Sequence, residues 1–443
     1  MKKILFCIIG VIISTISFAQ TGQGKYVGGD ISILPSYEAS QTVYLDKSGN
    51  KIADLITWLK YECGWNCFRV RLFVNPQQKS SSGDWDPAVC QDIEYVKALG
   101  KRIKDAGGHF MLDFHYSDTW VDAGHIQAPA ECSSMTVDQK ADWIYTYTKN
   151  SLEALKAADA TPDLVQVGNE IMYGFMGISV APYDKSGTDW TSFLKVLKQG
   201  CQAVRDVCPA AQTIIHTDRP TNSDYAKYWY GKLDDAGIEY DVIGLSYYPF
   251  WHGWLTKAQK SGKNNSLEAS LDQIAIDFPT KKVQIVECAY PIQWWPSSGI
   301  NYDTRSVWPV AEGKCQGQYD FVKDLIAELA KHSNVEGLSY WYPEEAGNGD
   351  AANWDTKEGI VMQSWLNRGL WWPTNSNGHW PLTSGGTMTV SLFKDFLSPE
   401  IAGIKYITST LFQGDGSIYN ISGQKVGKDY KGIVIQNGKK YIK

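Results

Sequence analysis

Two glutamates stand where apolar, strand-like runs stop. Glu170 closes Leu164-Val-Gln-Val-Gly-Asn-Glu, and Glu287 closes Val283-Gln-Ile-Val-Glu, just before Cys288-Ala-Tyr-Pro. A carboxylate at the end of a buried strand costs free energy unless it is paired or used. Two of them, each capping a β run, suggest a working carboxyl pair. One such group can protonate the leaving oxygen of a glycosidic bond while the other attacks the anomeric carbon or activates water. Asn169, directly before Glu170, could bond a sugar 2-hydroxyl, a contact that strengthens in the transition state.

The elements that must position this pair can be read from periodicity. Short β-like runs recur at 26–32, 67–74, 109–116, 164–170, 213–217, 241–248, 283–287 and 337–341. Stretches of helical period lie between them, among them 52–59, 93–106, 141–157, 190–207 and 319–332. Strand then helix, eight times over, predicts an α/β protein: a (β/α)8 TIM barrel over 20–398. A doubly wound open sheet would carry a Gly-rich phosphate turn after its first strand, and Gly28-Gly-Asp30 does not fit that pattern. Barrel active sites lie at the C-terminal ends of the strands. The residues finishing the runs are therefore candidates: Asp30, Arg71, His115, Asn169, Glu170, Tyr248, Glu287 and Trp341. From 399 to 443 glycines and short β runs take over, with Asn437-Gly438 as a hairpin signal, so a small β-rich tail is expected.

Composition narrows the class. The chain has 443 residues, a net charge of −6 and no basic patch, which argues against a nucleic-acid partner. It carries 18 Trp and 25 Tyr, and flat aromatic faces in loops stack well on sugar C–H faces. Loop-like stretches hold Trp120, Trp251, Trp254, Trp294, Trp295, Trp308, Trp371 and Trp372. Lys2 and Lys3, the apolar run 4–16 and Ser17-Phe-Ala19 read as a signal peptide over 1–19, removed near Ala19. The protein is therefore expected to be secreted or held at the cell surface, as a monomer without a transmembrane segment. Nine cysteines include Cys7 in the leader; the other eight permit disulfides whose connectivity the sequence does not give. Cys63 and Cys67 have no matching second pair for a zinc site.

Several segments together resemble one family. His115-Tyr-Ser-Asp-Thr-Trp120, Gly168-Asn-Glu-Ile171, Ser246-Tyr-Tyr-Pro-Phe-Trp-His-Gly253 and Val286-Glu-Cys-Ala-Tyr-Pro291 occur in order. Arg69-Val-Arg-Leu72 with Asn75-Pro76, and Tyr340-Trp-Tyr-Pro343, complete the set. The chain is similar to glycoside hydrolase family 53, the endo-β-1,4-galactanases, over about 26–373. Two departures fall in loops: Trp120 runs into Val-Asp-Ala-Gly-His, and Tyr342 follows Trp341 where the family often has Glu.

The resemblance implies a retaining hydrolase of β-1,4-galactan, with Glu170 as acid/base and Glu287 as nucleophile. It requires no cofactor; some bacterial members hold calcium, for which Asn301 and Asp303 are the candidates here. Arg71, or Arg69 two residues earlier on the same face, could keep Glu287 ionised; either arginine could instead form an interior ion pair with Asp113. Tyr248 shares a face with Ser246 and Gly244, and its hydroxyl could orient Glu287. His115 and Asp118 are expected to bind sugar hydroxyls, with Trp120, Trp251 and Trp341 as stacking platforms. Another β-glycanase acting on mannan or cellulose, and a non-catalytic glycan-binding barrel, are the competing readings. The tail resembles short C-terminal β modules of exported Bacteroidetes proteins, some of which direct sorting or attachment.

Overall fold

The computed structural model describes residues 24–181, 187–259, 265–291, 307–310, 315–345, 368–374 and 378–397, with short stretches at 418–420, 425–427, 433–436 and 439–442. The expected signal peptide, Trp294, Trp295, Asn301, Asp303 and the expected hairpin turn at Asn437-Gly438 lie outside the described residues, as does the side chain of Trp372.

Eight parallel strands close a barrel: β1 (Tyr26–Asp30), β2 (Cys67–Leu72), β3 (His109–Phe114), β4 (Leu164–Val167), β5 (Gln212–Thr217), β6 (Val242–Tyr247), β7 (Lys282–Cys288) and β8 (Val335–Trp341), with β8 pairing back onto β1. Each predicted strand is present, with ends shifted by a few residues. The helices between them are α1 (Leu55–Cys63), α2 (Ile93–Asp105), α3 (Val137–Ala157), α4 (Trp190–Val207), α5 (Ser223–Asp235), α6 (Leu267–Asp277) and α7 (Gln316–Leu329). Asp54, Asp92, Asp189, Asn222 and Ser266 cap α1, α2, α4, α5 and α6 through side-chain oxygens, and Thr136 with Gln139 forms a capping box on α3. The sequence thus marks most helix starts with a short polar side chain.

Strand alternation sorts the side chains. On β2, Phe68, Val70 and Leu72 join the main core with Val96, Leu99 and Ile103 of α2. Cys67 belongs to a separate cluster with Tyr26, Met111, Leu164, Ile214, Val242 and Val286, one residue from each of seven strands, which fills the barrel interior. Above that layer the same inward positions turn polar: Asp30, Arg69, Arg71, Asp113, Gln166, His216 and Ser246 are all buried.

Two irregularities shape the strand ends. Leu245 pairs with Ile285, but Ser246 pairs with Glu287, so Val286 is an extra residue in β7. Strict alternation from the interior Val286 would turn Glu287 toward the helices; the bulge brings it alongside Ser246 instead. After β4 the chain turns at Gly168, whose φ of +87° suits glycine.

The chain divides into two compact units, ending and beginning at Leu397 and Ser398. The second contains an antiparallel four-stranded sheet in the order Lys425–Val426, Ile418–Asn420, Ile433–Gln436, Lys439–Ile442. The eight cysteines from Cys63 to Cys315 are free thiols, six of them buried. Trp308 and Trp371, which the sequence places in loop-like stretches, are fully buried, so these large indoles pack in the core. No helix among the described residues is long and apolar enough to cross a membrane.

Candidate active site

Glu170 sits three residues past β4 with φ 45° and ψ 45°, a left-handed conformation that costs a non-glycine residue about 1–3 kcal/mol. Surrounding groups hold it there. Its backbone N–H donates to His216 Nδ1 at 3.3 Å, and Ser246 Oγ donates to its Oε1 at 2.5 Å. His216 and Ser246 come from β5 and β6, so three consecutive strands fix one carboxyl group.

Glu287 is held differently. Arg69 Nη2 approaches Oε1 at 2.9 Å, and the Tyr248 hydroxyl donates to Oε2 at 2.8 Å. Arg69 is fully buried and also pairs with Asp30 and Asp113, each at 2.8 Å. It donates as well to Asn169 Oδ1 at 2.8 Å. The sequence left open which arginine serves Glu287 and whether it would instead pair inside the barrel. Arg69 does both. Arg71 does not reach Glu287 or Asp113: it donates to the Tyr342 hydroxyl at 2.8 Å, pairs with Asp30 at 3.3 Å, and lies over the Trp120 ring at 4.5 Å.

Electrostatics separate the two glutamates. Burial, then the charge of Glu287 and of Asp218, push the Glu170 carboxyl well above the usual range. Burial also leaves Glu287 raised, with Asp113 and Asp30 adding to it, but Arg69 and the Tyr248 hydroxyl offset part of the rise. The interior charges point the same way. Arg69 and Arg71 face the carboxylates of Asp30, Asp113 and Glu287, so negative charge already exceeds positive by one before Glu170 is counted. Of the two carboxyl groups, Glu170 is the one whose surroundings more strongly favour a proton.

The cleft above this network is lined by Glu170, Glu287, Arg71, His115, Trp120, Asn169, Tyr248, Trp251 and Trp341, among others. Three expected substrate contacts lie elsewhere. Asp30 is buried below the cleft between Arg69 and Arg71. Ser246 is fully buried beneath Glu170. Asp118 accepts from the backbone N–H groups of Asn75 and Ala130, bracing two loops. In this structure the three support the site and do not line the cleft. His115 does line the cleft, but both ring nitrogens are engaged: Val121 N–H donates to Nδ1 at 3.1 Å and Nε2 faces Asp113 at 3.2 Å. It offers the substrate ring surface rather than a hydrogen bond. Trp120 is oriented by a 2.8 Å bond to Asp86, and Trp251 remains 55% exposed, free to stack.

With this geometry in place, comparison with known proteins decides the family. The model of glycosyl hydrolase family 53 matches residues 26–372. The chain belongs to glycosyl hydrolase family 53. This family 53 enzyme is 31% identical over 361 residues to the arabinogalactan endo-beta-1,4-galactanase of Cellvibrio japonicus, covering 77% of this chain and 87% of the relative. Among solved structures it is similar to the family 53 catalytic domain of Ignisphaera aggregans (TM-score 0.67, 27% identity, 84% and 95% of the two chains). A fungal beta-1,4-galactanase gives a TM-score of 0.64 at 26% identity, over 84% and 99% of the two chains.

The family 53 hydrolase contains site residues that the strand-end reading passed over. Arg368 lines the cleft with its guanidinium 3.9 Å from the Trp341 ring, and nothing in the loop sequence marks it. His216 and Asp218 close β5 much as Asn169 and Glu170 follow β4; the polar run His216-Thr-Asp-Arg219 after apolar Ile214-Ile215 was the available signal. Burial raises the Asp218 carboxyl to about 6 despite Arg219. Among the described residues no group of three or more His, Cys, Asp or Glu side chains could hold a metal ion.

Proposed function

We propose that the enzyme is a secreted endo-β-1,4-galactanase that cuts the β-1,4-galactan side chains of pectin, with retention of configuration. The observation that carries this reading is the unequal surroundings of two carboxyl groups: burial and the Glu287 and Asp218 charges raise Glu170 well above the usual range, while Arg69 and the Tyr248 hydroxyl bond Glu287 and favour its anion. In the first step Glu287 forms a bond to the anomeric carbon as the bond to the leaving oxygen breaks, and the Glu170 proton passes to that oxygen. In the second, water attacks the anomeric carbon, its proton goes to Glu170, and the Glu287 ester bond breaks. The names of the Cellvibrio and fungal relatives support galactan as the polymer. The leader segment supports export, and the open, tryptophan-lined cleft suits binding within a chain rather than at its end.

The test is product analysis. Purified enzyme is incubated with galactan, mannan and cellulose, and the anomeric configuration of the earliest product is read by NMR. Short β-1,4-galacto-oligosaccharides of retained configuration are expected. Cleavage of mannan or cellulose with galactan untouched overturns the substrate, and early products of inverted configuration overturn the double displacement. Glu287→Gln is expected to abolish turnover; a variant of full rate would remove Glu287 as nucleophile.

A further inference from the structure

The acid/base reading of Glu170 leaves a question of atoms: which of its two oxygens carries the proton. We propose that His216 is a positioning residue that decides this through Ser246, holding Glu170 Oε1 as an acceptor so that the acid proton resides on Oε2, the oxygen left for the substrate. The inference rests on Glu170 being the acid/base.

The geometry is a hydrogen-bonded chain. His216 is fully buried at the inward face of β5, and its register partner on β6 is Gly244, which places Ser246 two residues further on the same face. Nε2 of the ring lies 2.8 Å from Ser246 Oγ, and that oxygen lies 2.5 Å from Glu170 Oε1. At the other side of the ring, Nδ1 meets two donors, the Glu170 backbone N–H at 3.3 Å and the Gln166 amide at 3.2 Å, and one acceptor, Asn169 Oδ1 at 3.0 Å. Both amides are oriented: Gln166 Nε2 donates to Asp113, while Asn169 Nδ2 donates to the Val121 carbonyl and its Oδ1 accepts from Arg69.

Two hydrogen-bond orders fit this chain. With the ring proton on Nδ1, that N–H donates to Asn169, the Ser246 hydroxyl donates to Nε2, and Ser246 Oγ accepts from a proton on Glu170 Oε1. The acid proton would then be tied to a buried serine. With the ring proton on Nε2, it donates to Ser246 Oγ, the serine hydroxyl turns to Oε1, and Nδ1 accepts from two N–H donors. The second order keeps the proton at Oε2 and serves both charge states of Glu170 without rearrangement; Nδ1 then accepts from the Glu170 N–H and the shared Gln166 amide, and its 3.0 Å contact with Asn169 Oδ1 carries no proton. It also requires a neutral imidazole. Arg69, Asp113, His115 and His252 face the ring, and burial and Arg69 hold its pKa well below the ordinary value. Glu287, Asp218 and Asp122 face Glu170.

The test compares two substrates with the full-length enzyme and its His216→Phe, His216→Gln and Ser246→Ala variants. On galactan, which needs the acid, kcat of the Phe and Ala variants is expected to fall about tenfold or more with KM within about twofold. The single-turnover release of dinitrophenolate from a dinitrophenyl β-galactobioside, which needs no proton, is expected to stay within about twofold. Because Ser246 donates to Glu170, its loss is expected to move the alkaline limb of the pH profile upward and leave the acidic limb in place. His216→Gln, which retains a donor toward Ser246, is expected to recover part of the galactan rate. NMR of the isotope-labelled imidazole is expected to show a proton on Nε2 and none on Nδ1. Equal losses on both substrates, an unmoved alkaline limb, or a proton found on Nδ1 each overturn the proposal. If His216→Phe fails to fold, Ser246→Ala and the NMR decide. Wild-type enzyme inactive on galactan would sink the functional reading instead, and the tautomer measurement would still stand.

Discussion

Arg69 Nη2 lies 2.9 Å from Glu287 Oε1, and the same nitrogen lies 2.8 Å from Asp113 Oδ2. One guanidinium therefore ties the second glutamate of the pair to the interior of β3. Charge removed at either end must be felt at the other.

Replacing Arg69 tests this. Arg69→Lys keeps a charge but cannot fork between Asp30, Asp113 and Glu287. The expected loss in kcat/KM is about a hundredfold or more. Without the guanidinium, Glu287 holds its proton to higher pH, so the acidic limb of the kcat/KM profile moves upward. Unchanged kinetics would show that Glu287 does not depend on this pairing.

Tyr248→Phe deletes the other donor to Glu287 and keeps the ring. The loss of a hydrogen bond to a charged group is worth about 1.5–3 kcal/mol, or roughly 10- to 150-fold in kcat/KM. The acidic limb again moves upward. Thermal unfolding checks that the effect is local.

Trp251 tests stacking apart from chemistry. The indole is more than half exposed and lines the cleft, so Trp251→Ala should leave the melting temperature within about a degree or two. Loss of its face is expected to raise KM for galactan about tenfold with kcat little changed. An unaltered KM would remove Trp251 from the sugar-binding surface.

Glu345 shapes the change in stability between acidic and neutral pH. Burial raises its carboxyl from 4.5 to about 7, and Arg368 offsets only part of this. The native state then binds more protons than the unfolded state between those values. Stability from this group is full below pH 4.5 and declines as pH rises toward 7, by roughly 3 kcal/mol in all. Glu345→Gln is expected to flatten that decline, so the variant gains on the wild type between pH 5 and pH 8 in denaturant titrations. Parallel curves would refute the assignment.

The barrel was legible because its strands are apolar runs of ordinary length and most of its helices begin on Asp, Asn, Ser or Thr. The pair was legible because Glu170 and Glu287 interrupt such runs. What lay beyond sequence was the connection between strands. Arg69 and Arg71 share a face, yet Arg69 reaches Asp113 and Glu287 while Arg71 is taken up by Tyr342, which follows the last strand. His115 reads as a sugar ligand until Val121 and Asp113 are seen to occupy both nitrogens. Asp118 reads the same way until Asn75 and Ala130, distant in sequence, claim its oxygens. Each case turns on a partner that local pattern does not encode.

The extra residue at Val286 has a consequence for anyone wishing to transplant this chemistry. A designed barrel of eight regular strands, given the same glutamates in the same order, would present one to the cavity and turn the other outward among the helices. The irregularity has to be copied with the side chains. Deleting a single residue from β7 would be a severe change to the enzyme even though no functional group is removed.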